Sequence, residues 1–142
     1  MSATKVCPMI LRTGPGGRRQ ILAFLHPKAG KQIIKGTVEP TESIRNAALR
    51  ELKEESGISN AKVIGVLGSF EIFESHQVWH AVLCKADSLP DKWVFHTLDD
   101  GGHDFEFFWH YLDSTVDEQW HSIFRQALDH ISEMVLGSGV ID

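Results

Sequence analysis

The segment from Lys35 to Ile58 has the sequence KGTVEPTESIRNAALRELKEESGI and carries the main structural signal of the chain. It predicts a helix from Thr41 to Ser56, because apolar residues recur there at helical spacing and would bury one face. The residues of that face are Ile44, Ala47, Ala48 and Leu52. Thr41 or Ser43 can cap the helix, with Glu42 in its first turn, and Gly57 can end it in the left-handed conformation.

The opposite edge of this helix concentrates negative charge. Glu51, Glu54 and Glu55 stand at positions i, i+3 and i+4, so their side chains converge on one patch. Three carboxylates repel one another there, and a divalent cation would turn that repulsion into coordination. Because every ligand is oxygen, we expect Mg²⁺, with Mn²⁺ as a substitute, rather than zinc. The alternative is a surface helix with a chance acidic cluster.

Two residues near these carboxylates can support such a site. Arg50 can hold a neighbouring carboxylate through two hydrogen bonds and fix its direction. Gly36 lets the preceding backbone turn tightly and can offer a nearby carbonyl oxygen to the metal.

The complete spacing resembles the motif of the Nudix hydrolases, the Nudix box. That motif is Gly, five residues, Glu, seven residues, and then Arg-Glu-aliphatic-x-Glu-Glu-x-Gly-aliphatic. Its fixed positions are filled by Gly36, Glu42, Arg50, Glu51, Leu52, Glu54, Glu55, Gly57 and Ile58. The resemblance implies one α+β domain over residues 1–142, an α/β/α sandwich with a mixed central sheet.

The resemblance also implies roles for single residues. The metal ligands would be Glu51, Glu54 and Glu55, assisted by a backbone carbonyl near Lys35 or Gly36. Support of the loop and helix would come from Gly36, Glu42, Arg50 and Gly57. Family members differ in the carboxylate that takes the proton of the attacking water. Here Glu51 is one candidate and Glu106 is another, unless Glu106 is simply a strand residue that faces solvent.

Weaker candidates lie outside the motif. Gly14 to Arg19 can cradle a phosphate with Arg18 and Arg19 as clamps, although a hairpin turn explains the same residues and the glycine spacing does not match G-x-G-x-x-G. Among the eight histidines, His103 lies in the loop beside the expected site and is the one to test for catalysis.

The remaining segments predict strands and a closing helix. The expected strands are Val6–Arg12, Gln20–His26, a short piece at Gln32–Lys35, Ala61–Phe73, Gln77–Lys85 and Asp104–Leu112. Residues Asp87–Asp104 are expected to form a long loop, and Ser114–Leu136 an amphipathic helix.

Composition narrows the class of protein. A chain of 142 residues has room for one domain, and its net charge of −5 argues against binding to long nucleic acid. No apolar run approaches the length of a membrane span, and the N-terminal residues do not resemble a signal peptide. The two cysteines, Cys7 and Cys84, show no metal or redox spacing, so we expect buried thiols and a cytoplasmic protein.

The predicted function is metal-dependent hydrolysis of a phosphoanhydride bond in a nucleoside diphosphate linked to another group. Such substrates include nucleoside triphosphates, dinucleoside polyphosphates, ADP-ribose and nucleotide sugars, so the expected partner is a small nucleotide or polyphosphate. One alternative is a Nudix-like sensor that binds a nucleotide without cleaving it. Another is a prenyl-diphosphate isomerase, which would need a protonating cysteine and glutamate. Homodimers are common for the fold that the resemblance implies, so a homodimer is also expected.

Overall fold

The structure is a computed structural model that describes residues 4–73 and 75–138. The described residues form eight strands and two helices. The strands are β1 Thr4–Thr13, β2 Arg19–His26, β3 Gly30–Gln32, β4 Gly36–Thr37, β5 Lys62–Ile72, β6 Gln77–Lys85, β7 Trp93–Thr97 and β8 His103–Tyr111, and the helices are α1 Ile44–Ser56 and α2 Ser122–Ser138. Neither helix is long and apolar enough to cross a membrane.

The strands join in one mixed sheet with the order β5-β6-β1-β2-β8-β7, while β3 pairs with β2 and β4 with β1. β1 lies parallel to β6, and the other pairs are antiparallel. β1 changes partner along its length. Residues up to Ile10 pair with β6, and residues from Leu11 onward pair with β2. One strand therefore belongs to both halves of the sheet.

Each helix covers one face of the sheet. Ala47, Ala48 and Leu52 of α1 share a buried cluster with Phe24 and Phe107. On the other face, α2 packs into a second buried cluster that also contains Trp79. Its residues in this cluster are Phe124, Ala127, Leu128, Ile131 and Val135. Because the contact face of α1 carries the small side chains of Ala47 and Ala48, the helix can lie close to the strands. The expected α+β sandwich with a mixed sheet is confirmed.

Strand β7 was not predicted, because Trp93–Thr97 lies inside the segment expected to be a loop. It forms by pairing with β8, and its side chains alternate between buried and exposed environments. This alternation covers only five residues, too few to distinguish from a loop without the partner strand.

Both helices also begin later than expected. Ser43 caps α1 by accepting a hydrogen bond from the Asn46 N–H at 3.1 Å, so Glu42 precedes the helix. Helix α2 begins at Ser122 rather than Ser114. The preceding residues are held by β3 instead, because the Lys31 N–H donates to the Gln119 carbonyl at 2.9 Å. This tertiary contact overrides the helical periodicity that continues into the segment.

Strand β7 completes the C-terminal end of α1. The last carbonyls of a helix lack partners within the helix. Here the Thr97 hydroxyl donates to the Glu54 carbonyl at 2.9 Å, and the Trp93 indole N–H donates to the Ser56 carbonyl at 3.3 Å. The Gly57 N–H donates to the Lys53 carbonyl at 2.9 Å, and its φ of 79° confirms the predicted left-handed cap.

A pair of glycine substitutions tests this end of the helix. Gly16 and Gly57 have similar positive φ values, but a Cβ at Gly57 would lie 2.7 Å from the Phe95 ring, whereas a Cβ at Gly16 would meet nothing within 4 Å. We expect Gly16→Ala to lower the free energy of unfolding by about 1–2 kcal/mol through backbone strain alone. Gly57→Ala should cost about 1–3 kcal/mol more because of overpacking. Urea unfolding measures both, and equal losses would contradict the close contact with Phe95.

Candidate active site

Arg50 joins the loop before α1 to the helix. Its guanidinium donates two hydrogen bonds to Glu42, at 2.6 and 2.8 Å, and one to the Thr37 carbonyl at 2.9 Å. It also donates to Glu51 at 2.7 Å and to Glu54 at 3.2 Å. The hydrogen bonds from Arg50 hold the pKa of Glu42 below its ordinary value, and the contact with Glu42 raises the pKa of Arg50. Arg50 therefore fixes the direction of carboxylates on both sides of it.

Three carboxylates come together beside this network. Glu51, Glu55 and Asp99 each place a carboxylate oxygen within 4.8 Å of the other two, and we call them the acidic cluster. Glu51 is only 8% exposed, and its burial raises its pKa although Arg50 opposes the shift. Burial first, and then the charge of Glu51, raise the pKa of Glu55 to about 8. The charges of Glu51 and Asp99 both disfavour the charged form of Glu55, and a cation would remove this conflict.

The donor set of the acidic cluster fits a hard divalent cation. It consists of carboxylate oxygens, which suit Mg²⁺ and Mn²⁺, and it includes no thiol or imidazole. Of the predicted ligands, Glu51 and Glu55 belong to the cluster. Glu54 is not in the cluster; it accepts a hydrogen bond from Arg50, one helical turn before it, and its side chain is 43% exposed. It lines the same cavity as Asp99.

Asp99 is the site residue that sequence reasoning missed. It begins the 3₁₀ turn Asp99–Gly101 that follows β7, 44 positions after Glu55 in the chain. No spacing in the sequence links it to the helix. Only the pairing of β7 with β8 and the docking of β7 on α1 bring it to the cluster.

Gly36 is required for a close approach of backbone to the cluster. A Cβ at this position would overlap the carboxyl group of Glu51. The neighbouring Lys35 backbone also contacts the cluster, and a hydrogen bond from it favours the charged form of Glu55. The predicted backbone ligands are thus beside the carboxylates.

An open cavity of about 740 Å³ adjoins the cluster. It is lined by Arg50, Lys53, Glu54, Phe95, His96, Leu98 and Asp99. Leu98 is 85% exposed and gives the cavity an apolar wall, while Lys53 supplies a positive charge. His96 is oriented by Asp104, with 2.7 Å between Nδ1 and the carboxylate oxygen.

Two other predicted site residues, Glu106 and His103, lie on β8. Glu106 is exposed and alternates along β8 with Phe105 and Phe107, which pack in the α1 cluster, so its side chain faces the opposite side of the sheet. The His103 ring lies against the His26 ring, with centroids 4.6 Å apart and planes tilted by 48°, and His103 pairs with Thr97 across β8 and β7.

The predicted arginine clamps lie far from the acidic cluster. Arg18 pairs with Asp113 at 2.7 Å and stacks on Tyr111, at the end of β8 opposite to His103. These ends are about 27 Å apart at roughly 3.4 Å per residue. Arg19, which is half-buried, begins β2 at the same end. The structure does not bring Arg18, Arg19 or Glu106 together with the acidic cluster.

Comparison with known proteins agrees with this architecture. A model of the NUDIX domain matches residues 6–130. The chain belongs to the Nudix family. The predicted enzyme class, a Nudix hydrolase, is confirmed with it. No curated protein sequence matches the chain.

Several solved structures share the fold of this Nudix chain. An ADP-ribose pyrophosphatase from Streptococcus suis superposes with a TM-score of 0.70 at 11% identity, covering 100% of this chain and 96% of the other. A Nudix hydrolase from M. smegmatis has a TM-score of 0.66 at 17% identity, with 95% and 87% covered. An Ap4A hydrolase from C. elegans has a TM-score of 0.62 at 20% identity, with 94% and 98% covered.

Substitution of Gly36 tests the backbone approach to the cluster. We expect Gly36→Ala to displace the Glu51 carboxylate and to weaken Mn²⁺ binding about 10–100-fold, the usual cost of disturbing the support of a metal ligand. Isothermal titration of the folded variant measures this affinity. Gly65→Ala is the control, because its Cβ would meet nothing within 4 Å. Unchanged affinity in Gly36→Ala would contradict the contact.

The raised pKa of Glu55 predicts a pH dependence of stability. The folded protein, with a pKa of about 8, holds a proton that the unfolded chain releases near 4.5. The free energy of unfolding without metal should therefore fall as pH rises from about 5 to 8. Thermal unfolding in EDTA measures it, and Glu55→Gln should flatten the profile.

Glu133→Gln, on the exposed face of α2, is the matched control for that profile. Added Mg²⁺ should stabilise the wild type more at pH 8 than at pH 5, because the cation and the proton compete for the same oxygens. A profile of Glu55→Gln that matches the wild type would contradict the assignment.

Proposed function

We propose that this chain hydrolyses a phosphoanhydride bond in a nucleoside diphosphate linked to another group, and that Mg²⁺ or Mn²⁺ bound at Glu51, Glu54 and Glu55 is required. The observation that carries the proposal is the acidic cluster, in which Asp99 joins two carboxylates of the Nudix motif. The carboxylates of the acidic cluster repel the negative charges of a polyphosphate, so they cannot bind it directly. A divalent cation between carboxylate and phosphate oxygens removes the repulsion.

When bound, the cation stabilises the charge that develops on the phosphate oxygens and lowers the pKa of a coordinated water. The protein's part is to hold the ligands in place and to accept a proton. Of the two predicted bases, Glu51 lies in the acidic cluster and Glu106 lies on the far face of the sheet. We therefore assign proton acceptance to Glu51, whose orientation is fixed by the hydrogen bond from Arg50.

The open cavity supports a substrate with an apolar or aromatic portion next to its phosphates. Leu98 and Phe95 offer apolar contact, and Lys53 offers a positive charge near the acidic cluster. These contacts suit the nucleotide part of a nucleoside triphosphate, a dinucleoside polyphosphate, ADP-ribose or a nucleotide sugar. Structures of the same fold include the ADP-ribose pyrophosphatase, the Ap4A hydrolase and a UDP-X diphosphatase.

The two alternative functions, a prenyl-diphosphate isomerase and a nucleotide sensor, receive less support. An isomerase needs an accessible protonating cysteine, but Cys7 and Cys84 are both buried, and burial raises the pKa of each thiol, that of Cys84 to about 11. A nucleotide sensor does not need the ligand set of the acidic cluster. A cytoplasmic location, the absence of long nucleic acid or membrane among the partners, and a homodimer stay predictions.

Glu54→Gln tests the proposed chemistry without changing side-chain volume. We expect kcat/KM for the best substrate to fall roughly 10²–10³-fold, because a charge that stabilises the transition state is removed. Phosphate-containing products are followed in Mg²⁺ across nucleoside triphosphates, dinucleoside polyphosphates, ADP-ribose and nucleotide sugars.

Glu118→Gln serves as the control, since Glu118 is exposed in the segment before α2. Binding without turnover across the whole panel would favour the sensor, and an isomerised product without hydrolysis would favour the isomerase. Metal-dependent activity retained by Glu54→Gln would show that the site has been assigned wrongly.

A further inference from the structure

The Thr97 hydroxyl is the point at which the acidic cluster is joined to the sheet. Thr97 is the last residue of β7 and is only 1% exposed. Its hydroxyl donates to the Glu54 carbonyl at 2.9 Å and accepts from the Asp99 N–H at 3.2 Å. One buried group therefore contacts both the catalytic helix and the residue that completes the cluster.

These two hydrogen bonds have different consequences. The bond to Glu54 satisfies a carbonyl in the last turn of α1, which stabilises the helix. The bond from Asp99 fixes the backbone where the chain leaves β7 and enters its 3₁₀ turn. The second bond fixes the backbone from which the Asp99 side chain extends. It contributes little to the stability of the helix itself.

The turn that follows is closed by the pairing of Thr97 with His103. The Gly102 N–H donates to the Asp99 carbonyl at 3.0 Å, and the turn ends in Gly101 and Gly102, whose φ values are 83° and 92°. Glycines at such angles lose more conformational freedom than other residues when they become ordered. The anchor at Thr97 thus limits the positions that Asp99 can take.

We propose that Thr97 is a positioning residue that holds Asp99 against Glu51 and Glu55, so that cation affinity depends on the contact between β7 and α1. The inference rests on the proposed function, since it takes the acidic cluster as the cation site. Thr97 itself is not a member of the acidic cluster, and its buried hydroxyl is bonded to two backbone groups. Its effect on the cation passes through Asp99.

Thr97→Val and Thr97→Ser separate this role from a purely structural one. Valine keeps the shape of threonine and removes the hydroxyl, whereas serine keeps the hydroxyl. We expect Thr97→Val to weaken Mn²⁺ binding about 10–100-fold, and Thr97→Ser to stay within about threefold of the wild type. Isothermal titration measures this affinity without substrate, and Thr115→Val, an exposed threonine, is the control.

A double-mutant cycle with Asp99→Asn tests the route of the effect. If Thr97 acts through Asp99, adding Thr97→Val to Asp99→Asn should change Mn²⁺ affinity by less than about threefold. The reason is that Asp99→Asn already removes the charge that the Thr97 hydroxyl positions. Independent, multiplying losses would overturn the proposal. Wild-type affinity in Thr97→Val would overturn it as well, even if the melting temperature fell. Should Thr97→Val fail to fold, Thr97→Cys, which is close in volume and a weak donor, replaces it in both measurements.

The outcomes also separate this inference from the proposed function. If the wild type hydrolyses no member of the substrate panel and binds no Mn²⁺, the proposed function fails. If the wild type binds Mn²⁺ and turns over substrate while Thr97→Val binds the cation equally well, only the role of Thr97 fails.

Discussion

Helix α1 carries three glutamates of the Nudix motif in its last two turns, where the partial negative charge of the helix C-terminus already disfavours carboxylates. Burial of Glu51 and Glu55 adds to this cost, which is why the pKa values of both groups are raised. The fold therefore has to restrain carboxylates that repel one another. Arg50 on one side and the sheet on the other supply the restraint.

The sheet meets this requirement through β7. Alternate residues of this strand face α1, so one row of side chains reaches the helix end. Trp93 and Thr97 donate to its last carbonyls, and Phe95 packs on Gly57. Donors at these carbonyls offset the negative end of the helix. The strand thereby stabilises the element that carries the motif and presents Asp99 in the same place.

Local rules were sufficient for the motif helix. Its apolar face, its end at Ser56 and the left-handed Gly57 follow from spacing and residue type within 24 positions, and the structure agrees with them. Glu51, Glu54 and Glu55 were all expected to converge from helical geometry; Glu51 and Glu55 do so, while Glu54 lies against Arg50. The mixed sandwich followed from family resemblance, and it too is confirmed.

The remaining features depend on contacts between distant parts of the chain. β7 is too short to be distinguished from a loop without its partner strand β8. Asp99 joins the acidic cluster only when β7 is docked on α1. The start of α2 is set by the contact of Lys31 with Gln119 rather than by periodicity. Glu106 was one of two candidate bases, but strand alternation decides the face on which it lies, which is opposite to α1.

The change of partner along β1 has a consequence for how the protein unfolds. Because the same strand pairs with β6 before Ile10 and with β2 after it, neither half of the sheet can be lost while the other keeps all its hydrogen bonds. Val6 and Ile10 also belong to the buried cluster beneath α1, while Met9 and Leu11 belong to the cluster beneath α2. Opening either layer exposes apolar surface in the other, so the two layers form one cooperative unit rather than two independently opening ones.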